Sequence, residues 1–301
     1  DDPDSNPEFY SYNHVFMPYC TGDTWSGTRN PPLTPDHNDF YFAGHQNINA
    51  TIAHLDETVG ITSTATDVLL SGSSAGGIGS FGNADWFYEH YFDNTVVNVK
   101  AAPVSGTYFP GPVVFYEEFI AGITTTINDF ASEYLSWWFG TVFDESCAAA
   151  LGPDDQHRCW DYSGLYNHIA SPIFVAENRF DQNQINDVLL CPTSRNNSRT
   201  DDFIADFGAI MTQGLLDTVR GERGVSKGDG LFSPSCFDHT SAFCMEGGQV
   251  IELQDDASTE VRLRDMLPKW FTDGTADDGD AHQLVDTCES DMPCNKHCYC
   301  Q

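Results

Sequence analysis

Asp67-Val68-Leu69-Leu70-Ser71-Gly72-Ser73-Ser74-Ala75-Gly76-Gly77-Ile78-Gly79-Ser80 is the stretch from which the rest of the chain is read. An apolar run halts at a turn of glycines and serines, and small residues lead on into a segment that reads as helix. Gly72-Ser73-Ser74-Ala75-Gly76 fits G-x-S-x-G, the nucleophile elbow, with Ser74 at its tip. A serine in so sharp a strand-to-helix turn projects its hydroxyl. A side chain two residues away on either side is expected to clash, hence glycine on both flanks. The helix that follows aims its first N–H groups at the oxyanion of an acyl transfer. Ser71 and Ser73 lack the glycine frame.

The 301 residues suit one large α/β domain or two small ones, and 40% hydrophobic with 13% aromatic residues is enough for a substantial core. A formal net charge of -32 repels nucleic acid and anionic membranes, and polyanionic substrates too unless salt screens the field. No apolar run approaches a membrane span. Of the ten cysteines, Cys288, Cys294, Cys298 and Cys300 crowd the C-terminus. They read as disulfides formed in an oxidising compartment; a zinc site built from Cys294, Cys298, Cys300 and His297 is the rival reading. No cofactor is expected. Asn49-Ala50-Thr51 and Asn196-Asn197-Ser198 are glycosylation acceptors, which agrees with a secreted, extracellular glycoprotein. The chain opens on Asp1-Asp2-Pro3-Asp4 with neither initiator Met nor signal peptide and is read as a processed or trimmed product.

Along the chain, His14–Tyr19 reads as a buried strand, 39–59 as a helix with Asn49 off its apolar stripe, and Asp67–Gly72 as the strand into the elbow. Residues 75–91 read as the helix out of it, and Val96–Ala101 as a further strand. From 108 to 146 the chain is aromatic. Tyr116, Ile120, Ile123, Ile127, Phe130, Tyr134 and Trp137 keep helical spacing, as either a core-facing stripe or a cap over an acyl or sugar pocket. Cys147 and Cys159 flank a polar loop that they could bridge. Pro172–Ala176 reads as a short buried strand, 201–220 as an amphipathic helix, Gly221–Gly230 as a charged surface loop, and Arg262–Phe271 as a last helix. An acidic, cysteine-rich tail runs from Thr272. Strands alternating with helices argue for an α/β fold with a mostly parallel sheet, as one domain over 1–301.

A serine nucleophile needs a base, and the base needs an orienting acid. In α/β-hydrolases the chain order is Ser, Asp or Glu, then His, with the groups on loops past the carboxyl ends of strands. Asp181 lies just past the strand 172–176, and His239 lies in a loop towards the C-terminal end. His157 and His168 precede the acid, which is the wrong order. Asp238 is the sequence neighbour of His239, and neighbours rarely orient one another in this way.

At these residues the chain resembles the pectin acetylesterase/Notum family of secreted carboxylesterases. Val15 to Cys20, followed by Asp23-Thr24-Trp25-Ser26-Gly27, is similar to the family's strand ending in P-Y-C and its D-x-W-S-G. Gly72–Gly77 is similar to G-[CS]-S-A-G-G. Pro172-Ile173-Phe174 through Phe180-Asp181-Gln182-Asn183-Gln184 is similar to the segment carrying the acid. Ser235-Cys236-Phe237-Asp238-His239 is similar to the one carrying the base, and Val285-Asp286-Thr287-Cys288 with three further cysteines to the closing tail. The resemblance implies an α/β-hydrolase-like fold with Ser74 as nucleophile, His239 as general base and Asp181 as its orienter. It also implies an oxyanion donor at the Ala75 N–H and substrate contacts at Trp25, Gly76, Phe180 and Gln182. The implied substrate is an acylated polysaccharide, as for plant and microbial members, or an acylated protein, as for the animal branch. Asp181–Gln184 looks closer to the former, and the elbow, Asp23–Gly27 and the tail closer to the latter.

The chain departs from the family in one respect. A glycine-rich stretch, G-G-G-W-C-like, that precedes the P-Y-C strand and adds oxyanion donors does not occur in these 301 residues. The expectation is an N-terminal companion segment that completes the fold, linked through Cys20, whose family counterpart bonds to an upstream cysteine. The alternative is a catalytically silent member with a structural or binding role in an extracellular assembly.

Overall fold

The computed structural model describes residues 3–4, 6–29, 41–124, 126–192, 198–240, 249–253, 256–272, 282–286, 292–295 and 298. Its contacts divide into two compact units. The first is Pro18–Phe109 with Ile127–Ile173, and the second is Asp1–Met17, Pro110–Thr126 and Phe174–Gln301.

In the first unit, β1 (Asp67–Ser73) pairs in parallel with β2 (Asn98–Val104) in a register that sets Leu70 against Ala101 and Ser73 against Val104. Ile173 makes a further parallel bridge to Ala101. β2 is buried from Val99 to Val104, Lys100 included. β1 is half-exposed, and among the described residues β2 is its one partner. The helix Gly44–Val59 turns His45, Ile48 and Ile52 inward and ends where Gly60 adopts φ 65. The Cys147–Cys159 disulfide closes the polar loop between them.

In the second unit, β3 (Phe174–Ala176) precedes a two-residue β4 (Phe180–Asp181). β5 (Gly230–Ser233) pairs in parallel with β3, and β6 (Phe237–Asp238) pairs in parallel with β4. β7 (Val250–Leu253) and β8 (Asp256–Arg262) form an antiparallel pair. β9 (Gln283–Val285) adds in parallel to β5. The helix Ser198–Val219 buries Phe203, Ile204, Phe207, Met211, Leu215 and Val219, a stripe at helical period. Trp270, from the helix Leu263–Thr272, stands edge-on to Phe174 at 5.4 Å and donates from Nε1 to the Gly228 carbonyl.

Four sequence expectations change. His14–Tyr19 is exposed coil, with Phe16 89% exposed, because no described strand offers it a ladder. The helix after the elbow spans Ala75–Gly82 and stops at Asn83, whose side-chain amide donates to the carbonyls of Gly79 and Trp25; a separate turn, Trp86–Tyr91, follows. The aromatic stretch is two helices, Tyr116–Ile120 and Asn128–Phe139, with a break that begins near Gly122 (φ 73). Their residues fall in different units, so the apparent stripe is no single face: Tyr116 and Ile127 are buried while Tyr134 and Trp137 are exposed. Gly221–Gly230 is not a surface loop. It contains a helix, Glu222–Lys227, and the buried Asp229 pairs with Lys227 at 2.9 Å.

Candidate active site

Ser74 sits between β1 and the helix Ala75–Gly82 with φ 58 and ψ -121. For a residue with a β-carbon this backbone is strained by about 1–3 kcal/mol and persists only where its surroundings enforce it. The Ser74 N–H donates to the Val104 carbonyl at 3.0 Å, and the Ser74 carbonyl accepts from the Ile78 N–H at 3.0 Å. A β-carbon on Gly72 would lie 2.4 Å from the Gly76 carbonyl oxygen, so the preceding flank must be glycine. The following flank behaves otherwise: a β-carbon on Gly76 would meet no described atom within 4 Å. The glycines further on serve packing. Gly77 and Gly106 touch backbone to backbone, and the Trp25 ring lies on Gly79. Ala75 opens the helix, where the first N–H groups have no acceptor within it.

The second unit carries an imidazole–carboxylate pair. The β4–β6 register sets Asp181 opposite Asp238, and His239 follows one residue beyond the ladder. Asp181 is wholly buried; its Oδ2 lies 2.6 Å from His239 Nδ1, and its Oδ1 accepts the Gln184 N–H at 2.7 Å. A carboxylate can only accept, so Nδ1 carries a proton; in the neutral imidazole Nε2 is then the nitrogen with the lone pair that a general base requires. The Cys236–Cys298 disulfide ties down the segment that leads to His239.

Other sequence candidates fall differently. Phe180 is fully buried, seated on Gly208 with the Arg179 guanidinium 5.1 Å over its ring. It therefore supports the backbone under Asp181 rather than facing a substrate. Trp25 is likewise buried and braces the elbow helix. Gln182 is exposed beside Asp181, and Gly76 is half-buried. Asn49 is half-buried on its helix and accepts from Trp86 Nε1 at 3.2 Å; Asn196 lies outside the described residues. Cys298 is bonded to Cys236 and Cys294 is also in a disulfide, which removes their thiolates from the rival zinc reading. Cys20 is an exposed free thiol. Sequence reasoning missed Asn178 and Gln249, buried amides beside the pair; the polar run Glu177-Asn178-Arg179 at the end of a buried strand was the one available signal.

The Pectinacetylesterase family model matches residues 1–299. The chain belongs to the pectinacetylesterase family. Among curated members, it is 28% identical over 244 residues to the palmitoleoyl-protein carboxylesterase NOTUM of Drosophila melanogaster, covering 80% of this chain and 33% of that protein. It is 25% identical to pectin acetylesterase 5 of Arabidopsis thaliana, covering 99% of this chain and 66% of that one. The chain thus spans about a third of the fly relative's length. Among solved structures, the Wnt deacylase Notum from Drosophila aligns with a TM-score of 0.77 at 25% identity, over 99% of this chain and 78% of that one. This pectinacetylesterase-family chain accordingly has the α/β-hydrolase-like fold, with a mostly parallel sheet flanked by helices.

Proposed function

We propose that the protein is a secreted serine carboxylesterase that removes O-acyl groups from an extracellular polysaccharide or protein through Ser74, His239 and Asp181. The observation that carries the reading is the 2.6 Å contact between His239 Nδ1 and a buried carboxylate, which leaves Nε2 as the basic nitrogen. The strained Ser74 backbone, and relatives named as a carboxylesterase and an acetylesterase, support it. In this mechanism His239 Nε2 takes the Ser74 proton as Oγ bonds to the ester carbonyl carbon. The tetrahedral oxyanion accepts from the Ala75 N–H, and the imidazolium, held by Asp181, returns the proton to the departing alcohol. Water activated by the same imidazole then hydrolyses the acyl-serine. One oxyanion donor is typically worth about 3–4 kcal/mol, so full activity calls for more than Ala75 supplies. We assign the remaining donors to a companion segment outside these 301 residues, joined through Cys20; the half-exposed β1 and the exposed stretch 14–19 are surfaces it would cover.

The test is hydrolysis of a short p-nitrophenyl ester together with labelling by a serine-reactive phosphonate. Parent protein is expected to turn over and to label at Ser74, and Ser74→Ala to do neither. Turnover undiminished in Ser74→Ala would remove the nucleophile. Absence of labelling in the parent, with the companion segment supplied, would favour a silent, structural member.

A further inference from the structure

His239 stands one residue past the end of β6. Two buried amides lead up to its carbonyl. The Asn178 side chain donates from Nδ2 to the His239 carbonyl at 3.4 Å, and its Oδ1 accepts from Gln249 Nε2 at 2.8 Å. The same Gln249 nitrogen donates to Asp238 Oδ2 at 3.1 Å. Asn178 and Gln249 are each 1% exposed.

The polarity of this chain of bonds follows from its far end. A carboxylate only accepts, so the group that Gln249 turns to Asp238 is its NH2. The second hydrogen of that NH2 goes to Asn178, which must then present its oxygen. That leaves the Asn178 NH2, not its oxygen, to face the carbonyl of His239. Asp238, the sequence neighbour of His239, thus connects to the His239 carbonyl through two amide side chains.

We infer that Asn178 and Gln249 are positioning residues for His239, fixing its main chain so that Nδ1 meets Asp181. This rests on the reading of His239 as the general base. Neither amide touches the reacting atoms, and both act through the backbone of His239.

The test uses Gln249→Leu and Asn178→Ala, each measured three ways: kcat and KM on a p-nitrophenyl ester, the pH profile of kcat/KM, and the low-field proton resonance of the His239 Nδ1–H. Gln249→Leu is expected to lower kcat about tenfold with KM within twofold. It should also move the acidic limb of the pH profile, where a general base becomes protonated, and shift or broaden the low-field resonance. Asn178→Ala, which removes the direct bond, is expected to do the same more strongly. A kcat within twofold of the parent in both variants overturns the inference. So does a fall in kcat with the pH profile and the resonance unchanged, because that marks general destabilisation. Should the parent hydrolyse no ester with the companion segment supplied, the esterase reading fails, and the resonance still reports whether these amides hold the imidazole on Asp181. Should one variant fail to fold, the other carries the measurement.

Discussion

Gly72 and Gly76 look equivalent in the sequence and are not equivalent in the fold. A β-carbon on Gly72 would be driven to 2.4 Å from backbone that cannot move without opening the elbow, whereas Gly76 has open space and lies in a helix. Gly72→Ala is therefore expected to lose about 1–3 kcal/mol by overpacking, and Gly76→Ala to be neutral or up to about 1 kcal/mol more stable through helix propensity. Urea denaturation of the two variants checks this, and equal losses would contradict it. The same comparison shows what the G-x-S-x-G spacing conveyed. It located the serine and the turn, but not which glycine bears the steric load, since that depends on the path of Gly76 folding back over Gly72. Phe180 is a second case. The family resemblance implied a substrate contact there, but Gly208 of a distant helix receives the ring and makes it core.

Local pattern located the elements well where one face is buried, as in the helix Ser198–Val219. It did poorly where the partner decides. β8 carries a polar sequence, and β7 and β9 are only four and three residues long; they become strands through the ladders they join. One connection between elements has a pH signature. Asp85, just before the turn Trp86–Tyr91, accepts the N–H groups of Ala170 at 2.7 Å and Ser171 at 2.8 Å. Burial pushes its carboxyl up to about 6, against the downward pull of those two N–H bonds. The folded value exceeds the unfolded one, so the folded state binds the extra proton. The resulting stability is full below about 4 and is lost as pH rises through about 6, up to about 3 kcal/mol in all. Asp85→Asn should flatten that part of the curve, and urea midpoints from pH 4 to 7 that run parallel in parent and variant would contradict the assignment.

For the whole molecule, the cysteines separate what is closed from what is open. Cys147–Cys159 and Cys236–Cys298 are bonded, Cys191 is buried with its thiol pushed up to about 11, and Cys20 is exposed and free. Iodoacetamide at neutral pH is expected to alkylate Cys20 of the native 301-residue chain and to spare Cys191; mass mapping reads both, and fast labelling of Cys191 would contradict its burial. The sequence by itself determined the α/β class and a strand-to-helix turn at Ser74, and it offered Asp181 and His239 as candidates in that chain order, because periodicity, glycine placement and residue chemistry are local. Tertiary structure alone decided that Asp181 and His239 touch, that Cys236 pairs with Cys298 across 62 residues, and that His14–Tyr19 is left as exposed coil. Each of these depends on which distant backbone lies alongside, and a hydrogen bond or a disulfide forms only with the partner that the fold delivers.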